Sequence, residues 1–176
     1  MSKTIKRVLI SRAEIDQMCR RLGEQITHDY AGKEIILIGV LKGAFIFMSD
    51  LARCIGVPCR IDFMSVSSYG SGTRTSGVVR ITKDLDTDIT GKHIIVVEDI
   101  VDTGLTLNHL RELLSTRNPA SIALCTAFDK PDRRKVEIMV EYTGLQIPDE
   151  FIVGYGLDFD GKYRNLPDVS VLGDDN

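Results

Sequence analysis

Residues 94–114, IIVVEDIVDTGLTLNHLRELL, pass from a strand-length apolar run through carboxylates and small hydroxyls to leucines at helical spacing. Ile94–Val97 shows no polar alternation, which suits a parallel strand covered on both faces. Leu107, Leu110, Leu113 and Leu114 then share one helix face. Glu98 and Asp99 stand at the carboxyl end of the strand, where open α/β sheets place their ligands. Asp102, Thr103, Gly104, Leu105 and Thr106 come directly before the helix, whose unpaired N–H groups and dipole attract an anion. A phosphate suits this turn: small residues let the backbone wrap it, and two hydroxyls can donate. The pattern leaves a second reading open, in which Asp102 or Thr103 caps the helix and Glu98 and Asp99 are solvated turn residues.

The strand–helix alternation extends to both sides. Ile35–Val40 is another continuous apolar run, followed by a helical stripe of Phe45, Met48, Leu51, Ala52 and Ile55 that Gly56-Val57-Pro58 stops. Further upstream, Ser11-x-x-Glu14 is a capping box that opens an amphipathic helix with Ile15, Met18, Cys19, Leu22 and Ile26, ending near Gly32. Downstream, Asn118-Pro119 ends the helix and Ser121–Phe128 reads as a strand. A β-rich stretch, Cys59–Ser67, leads into residues 68–77, which are polar and glycine-rich and are expected to form a mobile loop. The tail Phe151–Leu172 holds one short strand, Phe151–Tyr155, and is expected to cap one end of the sheet. The fold class is therefore α/β, an open, mostly parallel twisted sheet flanked by helices.

Composition limits the function classes. The chain has 176 residues, 43% hydrophobic and 27% charged, which fits one domain with a real core. Its net charge of -3 supplies no global basic field, so no nucleic-acid partner is expected. Val8–Ile10 is too short an apolar run for a signal or membrane segment, and no membrane association is expected. Cys19, Cys54, Cys59 and Cys125 form no C-x-x-C pair and read as reduced core thiols of a cytoplasmic protein. His28, His93 and His109 lack catalytic spacing. No G-x-x-x-x-G-K-[ST] loop exists, and neither glycine cluster, at Gly70, Gly72 and Gly77 or at Gly154, Gly156 and Gly161, satisfies G-x-G-x-x-G.

The stretch Glu98-Asp99-Ile100-Val101-Asp102-Thr103-Gly104-Leu105-Thr106 resembles the phosphoribosyl pyrophosphate (PRPP) motif of type I phosphoribosyltransferases. Three more stretches resemble the hypoxanthine-guanine branch: Leu41-Lys42-Gly43, Ser68-Tyr69 opening a loop, and Phe151-Ile152-Val153-Gly154-Tyr155-Gly156-Leu157-Asp158 with Arg164 beyond. The resemblance covers about Ile35 to Leu172. It implies the family's fold, with a small hood from the chain termini (about 1–10 and 151–176) over a core of about 35–150 in a single domain, 1–176.

The resemblance also implies roles. Asp102, Thr103, Gly104, Leu105 and Thr106 would cradle the ribose 5-phosphate, mostly through backbone N–H groups. Some relatives carry lysine where Leu105 stands, so no side-chain role is carried over there. Glu98 and Asp99 would bind the ribose hydroxyls and help to position Mg²⁺, with Asp158 as a further metal-linked carboxylate near the purine. Asp102 would take the proton from purine N7. Lys42 and Gly43 match the pyrophosphate loop, where the family uses a non-proline cis peptide to aim a backbone N–H. Arg164 would bind pyrophosphate. Lys130 would donate to the purine 6-oxo group, Phe151 would stack on the ring and the Ile152 backbone would meet its edge. Ser68 and Tyr69 would begin a flexible lid.

Taken singly, each residue has a plainer reading: Lys42 as an exposed turn lysine, Lys130–Lys135 as a solvated basic run, Phe151 and Tyr69 as packing, Asp158 and Arg164 as surface charges. The function implied is Mg²⁺-dependent transfer of phosphoribose from PRPP to a 6-oxopurine: hypoxanthine, with guanine and xanthine as further acceptors. The family forms homodimers and homotetramers, and no motif here chooses. Two alternatives are a nucleotide-sensing regulator that kept the fold and binds nucleic acid, and a phosphoribosyltransferase for another base. The regulator would be expected to show a basic face and a degraded acid set.

Overall fold

The structure is a computed structural model that describes residues 3–68 and 79–174, without the Ser68 side chain. Its elements are β1 (Lys3–Ile10), α1 (Arg12–Asp29), β2 (Ile35–Leu41), α2 (Phe45–Ala52), β3 (Cys59–Ser68), β4 (Val79–Lys83), β5 (His93–Val101), α3 (Leu105–Ser115), β6 (Ser121–Asp129), β7 (Tyr142–Gln146), β8 (Ile152–Val153) and β9 (Val169–Asp174). The apolar runs in β2 and β5 become neighbouring central strands of a six-stranded sheet ordered β4-β3-β2-β5-β6-β7. All its pairings are parallel except that of the edge strand β4. The expected open, mostly parallel sheet is thus observed.

The absence of polar alternation in β2 and β5 follows from burial on both faces. Ile35, Leu37, Ile95 and Val97 pack under α1 and α2, which contribute Ile15, Leu22, Phe47 and Leu51. Ile36, Ile38, Ile94 and Val96 pack on the opposite face against Leu107, Leu110 and Leu114 of α3. From β2 the chain moves to β3 on one side, and from β5 to β6 and β7 on the other. The order therefore reverses between β2 and β5, which opens a crevice beyond their carboxyl ends.

A second sheet, β1-β9-β8, is antiparallel and joins the two ends of the chain, with Ile10 opposite Val169 and Ile152 opposite Val171. Here the structure corrects the expected tail. Its last part is a regular strand, β9, and its first strand is only Ile152–Val153. Strand β1 was also illegible, because its register on β9 is broken by two shifts and four of its eight residues face solvent. Strand β5 runs on to Val101, so Glu98 and Asp99 belong to the strand and not to a turn. Helix α2 stops at Ala52, and Phe45, expected in its core stripe, is 44% exposed.

Candidate active site

The crevice between β2 and β5 is bounded by Leu41-Lys42-Gly43 on one side and by Glu98 to Thr106 on the other. The Leu41–Lys42 peptide is cis, and Lys42 is exposed. A Cβ at Gly43 would collide with the Asp99 carboxylate, so only glycine lets the loop lie against the acid pair. A third segment closes the corner. Gly154, Tyr155 and Gly156 are all left-handed, and a Cβ on Gly156 (φ +97°) would collide with the Gly43 carbonyl. The turn is locked by backbone bonds from Tyr155 N to Leu166 O (2.9 Å) and from Gly156 N to Arg164 O (3.0 Å). Arg164 donates to Gly156 O (2.6 Å) and pairs with Asp158 Oδ1 (2.8 Å), while Asp158 Oδ2 accepts from Gly161 N (2.8 Å).

Glu98 and Asp99 form a strained electrostatic pair. Burial, and then the charge of Asp99, push Glu98 well above the usual carboxylate range. Burial also raises Asp99, against the hydrogen bond with Glu98, the bond from Ile100 N (2.7 Å) and the charge of Arg164. Two adjacent carboxyls in this setting retain a proton more readily than in water, and a cation placed between them would release it.

Next to them, a cavity of about 180 Å³ is lined by Glu98, Asp99, Asp102, Thr103, Gly104 and Thr106, among others. The first turn of α3 opens into it. Gly104 is the N-cap, at φ +82°, and no side chain caps the helix. Thr103 Oγ1 reaches Leu105 N only at 3.4 Å. This contrasts with α1, where Ser11 and Glu14 satisfy each other's backbone N–H in the expected capping box. The plain capping reading of Asp102 and Thr103 therefore fails, and the α3 terminus is left open toward the cavity, as anion binding requires.

The segment after β6 is strapped onto this loop. Lys130 N donates to Val101 O (2.9 Å), Arg134 Nη1 to Asp102 O (2.9 Å) and Lys135 N to Thr103 O (2.9 Å). Lys130 is not part of a solvated run: it is 9% exposed, and its ammonium donates to Glu150 O (2.6 Å). Phe151 is not core either. It is 45% exposed, meets Phe159 edge-on at 5.7 Å and carries the Lys3 ammonium 4.7 Å from its ring centre. Ile152 is buried in β8. Tyr69 lies outside the described residues, and Ser68 is the last residue of β3.

Residues 11–160 match the phosphoribosyl transferase domain. The chain belongs to that family. Among its relatives, this phosphoribosyltransferase is 52% identical over 174 residues to hypoxanthine phosphoribosyltransferase of Salmonella typhimurium, covering 98% of this chain and 97% of the other. It is 49% identical over 172 residues to hypoxanthine-guanine phosphoribosyltransferase of Streptococcus pneumoniae, covering 98% and 96%. The crystal structure of a hypoxanthine-guanine phosphoribosyltransferase from Bacillus anthracis with a HEPES molecule in its active site superposes with a TM-score of 0.93, at 47% identity, covering 98% and 100%.

Several residues of this phosphoribosyltransferase's candidate site were not singled out from sequence. Tyr155, 1% exposed, anchors the Gly154–Gly156 turn by donating to Asp50 Oδ2 (2.7 Å), and Asp50 also holds Arg12 (2.9 Å). Arg133, in the supposed basic run, pairs with Asp102 and Asp149. The only signal for Asp149 and Glu150 was their position just before Phe151.

Proposed function

We propose that this chain transfers the 5-phosphoribosyl group of PRPP to a 6-oxopurine, hypoxanthine with guanine and xanthine as further acceptors, releasing the nucleoside monophosphate and pyrophosphate in purine salvage. The observation that carries the reading is the uncapped α3 terminus beside the Glu98–Asp99 pair, facing Lys42-Gly43 and the Gly156–Arg164 corner across the β2–β5 crevice.

Each residue then has a task. The backbone of Thr103, Gly104, Leu105 and Thr106 holds the 5-phosphate. Glu98 and Asp99 hold the ribose hydroxyls, and Lys42, Gly43 and Arg164 meet the pyrophosphate. Lys130 donates to the purine 6-oxo oxygen, Phe151 stacks on the ring, and the Ile152 backbone and Asp158 close the base site. Purine N9 attacks ribose C1 as the bond to pyrophosphate breaks with its electrons on the leaving group, and Asp102 accepts the N7 proton. The transition state is oxocarbenium-like, so these fixed charges matter more there than in the ground state. The loop from Ser68 and Tyr69 would exclude water.

Mg²⁺ is part of the proposal. Among the described residues, no three His, Cys, Asp or Glu side chains converge on one point. Mg²⁺ is commonly held by one or two carboxylates plus substrate phosphates. Glu98 and Asp99, raised chiefly by burial, fit that mode, with Asp158 one step removed behind Arg164. The ion would neutralise charge on the diphosphate. We further propose one domain, a cytoplasmic location in keeping with four free cysteines, and a homodimer or homotetramer without nucleic acid or membrane partners. Among the described residues, no helix is long and apolar enough to cross a membrane.

The test is pyrophosphate release from PRPP and Mg²⁺ with hypoxanthine, guanine, xanthine and adenine in turn. Turnover with the oxopurines and little with adenine is expected; turnover with none refutes the enzyme.

A further inference from the structure

Asp102 and Lys130, the two groups assigned to the purine's N7 and 6-oxo positions, are joined by side chains that have no part in that scheme. Arg133 Nε lies 2.7 Å from Asp102 Oδ1, and its Nη1 lies 3.3 Å from Asp149 Oδ1. The same Asp149 oxygen lies 3.6 Å from the Lys130 ammonium. Lys130 is the N-cap of the 3-10 turn Pro131–Arg133, where Arg133 N donates to Lys130 O (3.2 Å). A closed circuit results: Asp102, Arg133, Asp149, Lys130 and back through the backbone bond from Lys130 N to Val101 O.

We propose that Arg133, braced by Asp149, is a positioning residue for the purine step, fixing the Asp102 carboxylate at one spacing from the Lys130 ammonium. This rests on the purine-transfer reading above. A 6-oxopurine protonated at N7 presents an acceptor and a donor side by side on one rigid edge. The ammonium suits the first and the carboxylate the second. The spacing between them must therefore match the purine while both groups stay free to engage it.

On the carboxylate side the geometry leaves that freedom. The Asp102 side chain remains 43% exposed, so the guanidinium does not bury it. Arg133 Nε lies against Oδ1, which is enclosed, so the exposure of the side chain falls on the remainder, Oδ2 included. The carboxylate is thus held at one oxygen while the other is kept for the substrate N–H. Arg133 and Asp149 are themselves about half exposed, and exposed ion pairs add little to fold stability. A planar fork grips two carboxylates at once, which a lysine cannot do. Glu98 and Asp99 line the same cavity as Asp102, and the Arg134 guanidinium binds the Asp102 carbonyl and Asp129, while Arg133 meets the Asp102 carboxylate. The charges of Asp102 and then Asp149 also keep the Arg133 pKa above its ordinary value.

The test compares Arg133→Ala, Arg133→Lys, Asp149→Asn and the double variant Arg133→Ala/Asp149→Asn with the parent, varying hypoxanthine and PRPP separately and recording melting temperature. Arg133→Ala should lower kcat/KM for hypoxanthine by about 10- to 100-fold, the loss expected from a misplaced catalytic group. KM for PRPP should stay within about twofold and melting should be unchanged. The double variant should be no worse than Arg133→Ala, because both remove one brace. Arg133→Lys should stay near the alanine variant. Unchanged hypoxanthine kinetics, an equal loss on PRPP, additive losses or full activity with lysine would each overturn the brace. Asp102→Asn, run in parallel, separates the two levels. If it turns over at the parent rate, the reading beneath the proposal fails; if it is slow while Arg133→Ala is normal, only the brace fails.

Discussion

Replacing Tyr155 by Phe removes one oxygen from the anchor that holds the Gly154–Gly156 turn against Gly43, at the corner proposed to meet pyrophosphate. The Tyr155 hydroxyl donates to Asp50 Oδ2 at 2.7 Å and lies 3.5 Å from Cys19 Sγ, in a side chain only 1% exposed. A buried hydrogen bond to an ionised group is worth about 1.5–3 kcal/mol. In a chain of this size each kcal/mol moves the melting temperature by about 2–4 °C, so a fall of about 3–12 °C is expected at neutral pH. The loss should depend on pH. Burial opposes ionisation of Asp50, but the Tyr155 hydrogen bond and the Arg12 charge outweigh it and hold its pKa below the ordinary value. A carboxylate with a depressed folded-state pKa stabilises the fold above its unfolded pKa of about 3.9, and that contribution disappears as pH falls through the folded value. Melting curves of parent and variant should therefore differ most near neutrality, and the gap should begin to close only below about pH 4, as pH falls from the unfolded toward the lower folded value. Equal melting temperatures at pH 7, or a gap that widens as pH falls from about 4 to about 2, would refute the assignment of Tyr155 to an ionised Asp50.

Other perturbations probe the rest of the site. Gly156→Ala combines a left-handed φ with a Cβ driven into the Gly43 carbonyl, and should raise KM for PRPP at least about tenfold; an unchanged PRPP titration would disprove the close approach. Phe151→Ala should weaken hypoxanthine by the value of one stacked base, about 1–3 kcal/mol or roughly 5- to 150-fold in KM, with PRPP unaffected; equal effects on both substrates would argue for a structural role. The α2–β3 surface exposes Phe45 (44%) and Ile61 (53%) beside an apolar groove with Met48, Ala52 and Phe63. If self-association buries this face, Ile61→Glu should shift light scattering toward the monomer, and an unaltered mass would move the interface elsewhere.

The alternation of apolar runs and helical stripes was enough to read the sheet's central layer, because β2 and β5 are buried on both faces and their residues carry no competing signal. The edge and hood strands were harder. β4 and β7 are short, and β1 keeps half of its residues in water, so their partners rather than their own composition decide that they are strands. Within the candidate site, residues 98–106 stood out as an expected phosphate loop, since a carboxylate pair and a small-residue turn precede a helix, and the structure leaves that helix uncapped beside a cavity. Lys130 and Phe151 were not legible without the family resemblance: each is ordinary locally, and only burial of the first and exposure of the second set them apart.

Periodicity and local backbone chemistry over a few residues were enough for the α/β class, the central strands and the helix terminus left open after residues 98–104. Tertiary structure decided what meets that loop. The approach of Gly43 to Asp99, the lodging of Gly156 against Gly43, the anchoring of Tyr155 by Asp50 and the circuit from Asp102 through Arg133 to Lys130 all join segments far apart in the chain. Such contacts leave no periodic trace, since their energies exist only once the sheet order has brought the carboxyl ends of β2 and β5 together.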